Sequence, residues 1–225
     1  MEINRKEIFR YLGYGGHEAD ETVRNLAEEC VRELEQAANC RSLMREYPLI
    51  TAEDGTIDGG CFRTKSKHLL KNLGGCGRVL VMAATLGSSV DRLLNRYGKL
   101  SVTKAVILQA AAAAMIEAYC NELCAGWKEE YEKRGLYLRP RFSPGYGDFS
   151  LSCQKELLDG LEAGKRIGIT LTEGGLMLPT KTVTAVIGIS EKEEPCRPEG
   201  CEVCEKRECP YRRAKSGAGG QEKQR

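Results

Sequence analysis

The run Arg78-Val79-Leu80-Val81-Met82-Ala83-Ala84-Thr85 is almost continuously apolar and enters a turn at Gly87. A run of this length and character reads as a central strand buried on both faces. Ser88 or Ser89 then starts a helix carrying Val90, Leu93 and Leu94. A strand, a glycine turn and a helix can present backbone N–H groups to an anion. Neither G-x-G-x-x-G nor G-K-[ST] occurs, so the signal for a nucleotide fold is weak. Asp91 falls in the first turn of that helix, where the helix dipole favours an acid without any ligand; ligand contact is the alternative reading.

The next element is a long helix from Thr103 to Arg134, in which Ala105, Leu108, Ala112, Met115, Ile116, Tyr119 and Leu123 recur at helical spacing. The alanines from Ala110 to Ala114 predict close packing against a neighbour. Glu117 is the anomaly, because a carboxylate inside an apolar section is costly unless it is paired or turned to a cleft.

Upstream, Asn4 to Leu12 and the stretch capped by Asp20 read as amphipathic helices, the second burying Val23, Leu26, Ala27, Cys30, Val31 and Leu34. His17, in the glycine-rich break between them, reads as a loop histidine with a local hydrogen bond. Arg41 to Ile50 and Thr56 to Arg63 are strand-like and predict a hairpin around Glu53-Asp54-Gly55; Ser66 caps a short helix. Downstream, Leu136 to Arg139 predicts a strand, and Ser152 a helix cap with Gly164 as the stop. Ile167 to Leu171, Leu176 to Leu178 and Val183 to Ile189 read as further strands. Helices and strands do not alternate as βαβ units, so the class is α+β, with an antiparallel-rich sheet and a long central helix.

With 34 basic and 32 acidic residues the formal charge is +2, which gives no electrostatic reason to propose nucleic acid as a partner. Ala105 to Ala118 is too short and too interrupted for a membrane span, and the charged start MEINRKEIFR is not secretory. A cytoplasmic protein is expected. Of 11 cysteines, seven are scattered as in a reducing compartment and four crowd together at Cys196, Cys201, Cys204 and Cys209. Four thiolates this close suit Zn²⁺ or an iron–sulfur cluster, and the alternative is free or disulfide-forming thiols. The expected division is a domain over 1–190, a cysteine-rich tail over 191–213 and a disordered end over 214–225.

Between the long helix and the later strands lies Arg141-Phe142-Ser143-Pro144-Gly145-Tyr146-Gly147-Asp148-Phe149. Proline holds Ser143 extended, and the glycines permit sharp or left-handed turns. Arg141 offers a fork of donors suited to a carboxylate, and Tyr146 a ring face and a hydroxyl. A surface turn and a ligand cradle are both compatible with these residues.

Arg141 to Tyr146, a helix, then Ile167-Gly168-Ile169-Thr170-Leu171-Thr172-Glu173 with Met177 and Pro179 resembles the reactivation domain of vitamin B12-dependent methionine synthase. That family carries an R-P-A-P-G-Y-type loop, a helix, a G-M-K-L-T-E segment and an M-x-P; the resemblance is strongest from Glu117 to Ile189. It implies that fold, together with S-adenosylmethionine binding and reductive methylation of a cobalamin held by a corrinoid methyltransferase in trans, with an electron donor. By the same match, Arg141 would hold the methionine carboxylate, Gly145 and Tyr146 would belong to the contacting loop, Glu117 would form a polar wall, and Asp91 would be a further member of the site. No catalytic acid, base or nucleophile is implied, so His17 and His68 would be spectators. The tail cluster would supply the electron if it holds iron and sulfur, or only stability if it holds zinc. A different corrinoid target and a non-enzymatic assembly module remain alternatives. The family's A-C-P-D-H after the tyrosine is replaced here by Gly147-Asp148-Phe149-Ser150-Leu151-Ser152, and its later aromatic and histidine groups are missing from Lys181 to Ser190.

Overall fold

Strand β5 (Arg78–Thr85) lies inside a four-stranded antiparallel sheet of order β1-β5-β9-β6, flanked by β1 (Arg41–Pro48) and β9 (Thr182–Ser190), with β6 (Tyr137–Leu138) at the edge. This is a computed structural model, and it describes residues 1–14 and 17–193. Because side chains alternate along a strand, β5 serves two cores. Leu80, Met82 and Ala84 join a core built with helices, whereas Val79, Val81 and Ala83 join a second core on the opposite face. β9 divides the same way, with Ala185, Ile187 and Ile189 on the first side and Val186 on the second.

The first core is made by α1 (Arg5–Tyr11), α2 (Glu21–Ala37), α4 (Ser88–Leu100) and α5 (Val102–Glu132). Asp20 caps α2, accepting from the Val23 N–H at 2.9 Å. Ala110, Ala111, Ala112 and Ala114 are buried, so the alanine run brings α5 close to its neighbours. Lys104 is buried too, and donates to Glu29 at 2.7 Å and Glu33 at 2.6 Å on α2. Burial opposes its charge, but those two hydrogen bonds outweigh it and hold the ammonium above its ordinary pKa. By length and composition α5 passes the test for a membrane span, unlike the shorter run read from sequence; half of its most apolar window is buried inside the protein.

The second core is covered by a small meander, β2 (Ile50–Thr51), β3 (Thr56–Asp58) and β4 (Arg63–Lys65), and by α3 (Lys67–Asn72), α6 (Cys153–Gly160) and α7 (Ala163–Ile167). β7 (Thr170–Leu171) and β8 (Met177–Leu178) form a separate hairpin. The fold is the expected α+β class with a long central helix.

Several local expectations need correction. The hairpin joins only β2 and β3, while the longer β1 pairs with β5 along its whole length. Ser152 makes no capping bond to α6, since its backbone is helical and its hydroxyl meets that of Ser150 at 2.8 Å. Gly164 does not stop that helix but lies inside α7; the break falls at Glu162, which adopts a left-handed backbone with φ of 53°. The stretch beginning at Ile167 therefore opens as the end of a helix and becomes strand only at Thr170.

Candidate functional site

The segment after β6 runs along the edge of β9. Leu138 faces Ile189, and the Arg139 N–H donates to the Gly188 carbonyl at 2.8 Å. Regular pairing would then set Arg141 opposite Val186, but Phe142 takes that place, exchanging hydrogen bonds of 2.8 and 2.9 Å with Val186. One extra residue has been inserted around Pro140-Arg141. Pro140 has no N–H to give the ladder, and a bulge re-aims the side chain beside it. Phe142 packs against the second core, while Arg141 reaches α5.

There Arg141 meets Glu117. The Nη2 group donates to Glu117 Oε2 at 2.5 Å, and Nη1 donates to Asn121 Oδ1 at 2.7 Å. Glu117 and Asn121 are one helical turn apart, so both face the arginine. Burial works against the Arg141 charge, but Glu117 and then the Cys120 and Cys124 sulfurs outweigh it, raising its pKa above the ordinary value. Burial also pushes the Cys120 thiol up to about 12 and raises that of Cys124, so both stay protonated at neutral pH despite the guanidinium. The result is a fixed pair of opposite charges, with Glu117 still 41% exposed at its side chain. A free amino acid carries the complementary pair, a carboxylate for the guanidinium and an ammonium for Glu117.

The loop that follows is pinned at both ends. Gly145 has φ of 93°, and its N–H donates to the Phe149 carbonyl at 2.8 Å; Gly147 has φ of 54°, and a Cβ there would lie 2.6 Å from His68 Nδ1. Both positions favour glycine for conformation, the second for space as well. Tyr146 is carried outward between them and is 66% exposed. Asp148 folds back onto the start of α3, accepting from Ser66 Oγ at 2.5 Å and from the Lys67 and His68 N–H groups at 2.7 and 3.1 Å. His68 Nδ1 lies 3.2 Å from the same carboxylate. His68 thus buttresses the loop, while the backbone N–H of the exposed His17 donates to the Tyr14 carbonyl at 2.8 Å.

The Ser66 bond, with the two amides and His68 behind it, holds the Asp148 carboxyl well below the usual carboxylate range. A depressed folded pKa gives stability that is present above the unfolded value of about 4 and lost as pH falls through the folded one. Asp148→Asn is accordingly expected to lower the melting temperature at neutral pH, with the gap to wild type closing as the buffer is taken towards strong acid. Thermal melts across pH check this; a constant gap counts against the carboxylate's role.

Asp91 is not part of the Arg141 pair. It is engaged by the Thr180 N–H at 2.9 Å and the Thr180 hydroxyl at 2.6 Å, which tie α4 to the turn before β9. The structure therefore brings Arg141 and Glu117 together, puts Gly145 and Tyr146 in the adjoining loop, and leaves Asp91 with Thr180. Asn121 was missed, although its spacing from Glu117 was visible. Thr180 is not legible in the sequence, because nothing local marks it as the partner of Asp91. Among the described residues no group of three or more His, Cys, Asp or Glu is placed to hold a metal. The expected ligands Cys196, Cys201, Cys204 and Cys209 lie outside the described residues, as does all of the proposed tail beyond 193.

Among solved structures, the chain is similar to the MetH reactivation domain bound to AdoHcy, with a TM-score of 0.54 and 17% identity over 84% of this chain and 77% of that one. This likeness establishes the fold. No family model matches the chain, and no curated protein matches it.

Proposed function

We propose that this chain binds S-adenosylmethionine and serves as a reactivation module for a corrinoid methyltransferase. The observation that carries the reading is the partly buried Arg141–Glu117 pair, which precedes the Gly145 turn. It complements an amino-acid head group, on a fold like that of a domain solved with AdoHcy. Arg141 takes the carboxylate, Glu117 the ammonium, and Tyr146 borders the bound ligand. A sulfonium already carries a good leaving group, so the protein's task is to hold the methyl in line and not to move a proton. The corrinoid, held outside these residues and reduced by one electron from a separate donor, would supply the nucleophile that accepts the methyl, with S-adenosylhomocysteine as the leaving group.

Asp91 belongs to the far side of the site through the Thr180 turn that it holds, and the 1–190 unit is the domain that does this work. The tail cysteines stand as a proposed metal site, zinc or iron–sulfur.

The test is calorimetry of the full chain with S-adenosylmethionine and S-adenosylhomocysteine. Saturable binding with one ligand per chain is expected for both. Absence of heat at any temperature, with no competition in a displacement assay, rules the reading out.

A further inference from the structure

Helix α5 presents Gln109, Ala113 and Glu117 on one face, since residues four apart stack above one another. Gln109 is exposed, and Ala113 and Glu117 are partly so. Arg141 covers the Glu117 end. At the other end the Lys181 ammonium lies 3.3 Å from the Gln109 carbonyl oxygen. At about 1.5 Å of rise per residue, Gln109 and Glu117 are about 12 Å apart along the helix. Ala113, between them, leaves a low floor.

Lys181 is partly buried, and its backbone is fixed on both sides. Its own carbonyl accepts from the Leu86 N–H at 3.0 Å, so the backbone is fastened to the end of β5. The preceding residue, Thr180, is held by Asp91. Burial lowers the Lys181 pKa, and the Asp91 charge only partly offsets this. An ammonium has three donors, and a helix carbonyl already engaged within its helix is a modest partner for one of them.

The geometry points to Lys181 as the specificity-determining residue for the nucleoside half of the ligand, donating to acceptor atoms of the purine while Arg141 and Glu117 hold the amino-acid half. This rests on the proposed S-adenosyl ligand. From the carboxylate carbon through sulfur and ribose to the base is about nine bonds; at the roughly 1.2 Å per bond of an extended chain, that spans about 11 Å. That length is comparable to the stretch of helix between Gln109, which Lys181 touches, and Glu117, which Arg141 touches. The Asp91–Thr180 contact acquires a function as well, because it sets the turn from which Lys181 projects.

Calorimetry on the full chain separates the halves, using S-adenosylhomocysteine, methionine and adenosine as probes. Lys181→Met keeps the apolar stem and is expected to weaken S-adenosylhomocysteine and adenosine by about tenfold while leaving methionine within about twofold. Lys181→Arg, which keeps the charge, retains most of the affinity. Lys181→Gln reads the same difference should the methionine variant fail to fold by circular dichroism. Unchanged S-adenosylhomocysteine affinity in folded Lys181→Met or Lys181→Gln overturns the assignment, as does an equal loss for methionine. If wild type binds no probe, the proposed function falls and this assignment with it; if wild type binds and the folded Lys181 variants bind with unchanged affinity, the assignment alone falls.

Discussion

Arg141→Ala is expected to weaken S-adenosylhomocysteine binding by about a hundredfold, towards the lower end of the range for truncating one partner of a hydrogen-bonded charge pair, because this one is only partly buried. Two effects act together. The ligand carboxylate loses a fork of donors, and Glu117, formerly neutralised at 2.5 Å, presents its charge to that carboxylate. Arg141→Lys should recover only part of the loss, because an ammonium cannot reproduce the planar fork shared between Asn121 and Glu117. Folding should be little affected. Glu117 is 41% exposed at its side chain and can be hydrated once its partner is gone, so the melting temperature should move by only a few degrees. Calorimetry and thermal melts on the same samples check both statements. Wild-type affinity in Arg141→Ala would remove the carboxylate clamp from the site.

What the sequence disclosed, and what it withheld, follows from how local each feature is. Arg78 to Thr85 was legible because a strand buried on both faces is apolar along its interior, here Val79 to Ala84, and its two cores supply that burial. Asp20 was legible because a cap acts within three residues of itself. The partner of β1 was not. Arg41 to Pro48 is compatible with a hairpin to the next strand, yet it pairs with a strand beginning at Arg78, and no residue in either segment encodes that choice alone. Ser152 shows the converse: a residue type favoured at caps made no cap, because its backbone stayed helical and Ser150 took its hydroxyl.

The site divides along the same line. Glu117 stood out because a charge in an apolar period has to be accounted for, and the structure supplies Arg141 as the reason. What aims Arg141 is one inserted residue in the pairing with β9, a matter of register between distant segments and not of composition. Asp148, where the resemblance to the methionine synthase reactivation family fails, turns out to be spent on the amides at the start of α3.

That fastening sets the second large effect. Phe149 is 1% exposed, and its ring centroid lies 5.9 Å from that of Phe62 and 6.3 Å from that of Phe142. Phe149→Ala should cost about 3–5 kcal/mol, the usual range for emptying a buried aromatic site. In a chain of 225 residues each kcal/mol is worth about 2–4 °C, so the melting temperature should fall by on the order of 10 °C. The backbone of Phe149 closes the turn from both sides, accepting from Gly145 and donating to Tyr146, and its ring rests against Phe142, the neighbour of Arg141. The cavity should therefore be felt at the ligand site. Well below the new melting temperature, S-adenosylhomocysteine affinity should drop several-fold, whereas Phe149→Leu, which refills much of the volume, should restore most of both losses. A destabilised Phe149→Ala that binds with wild-type affinity would mean that Asp148 and the two glycines hold the loop without the aromatic anchor. Loss of binding together with stability, both recovered by leucine, would mean that the second core is what keeps the loop beside Arg141.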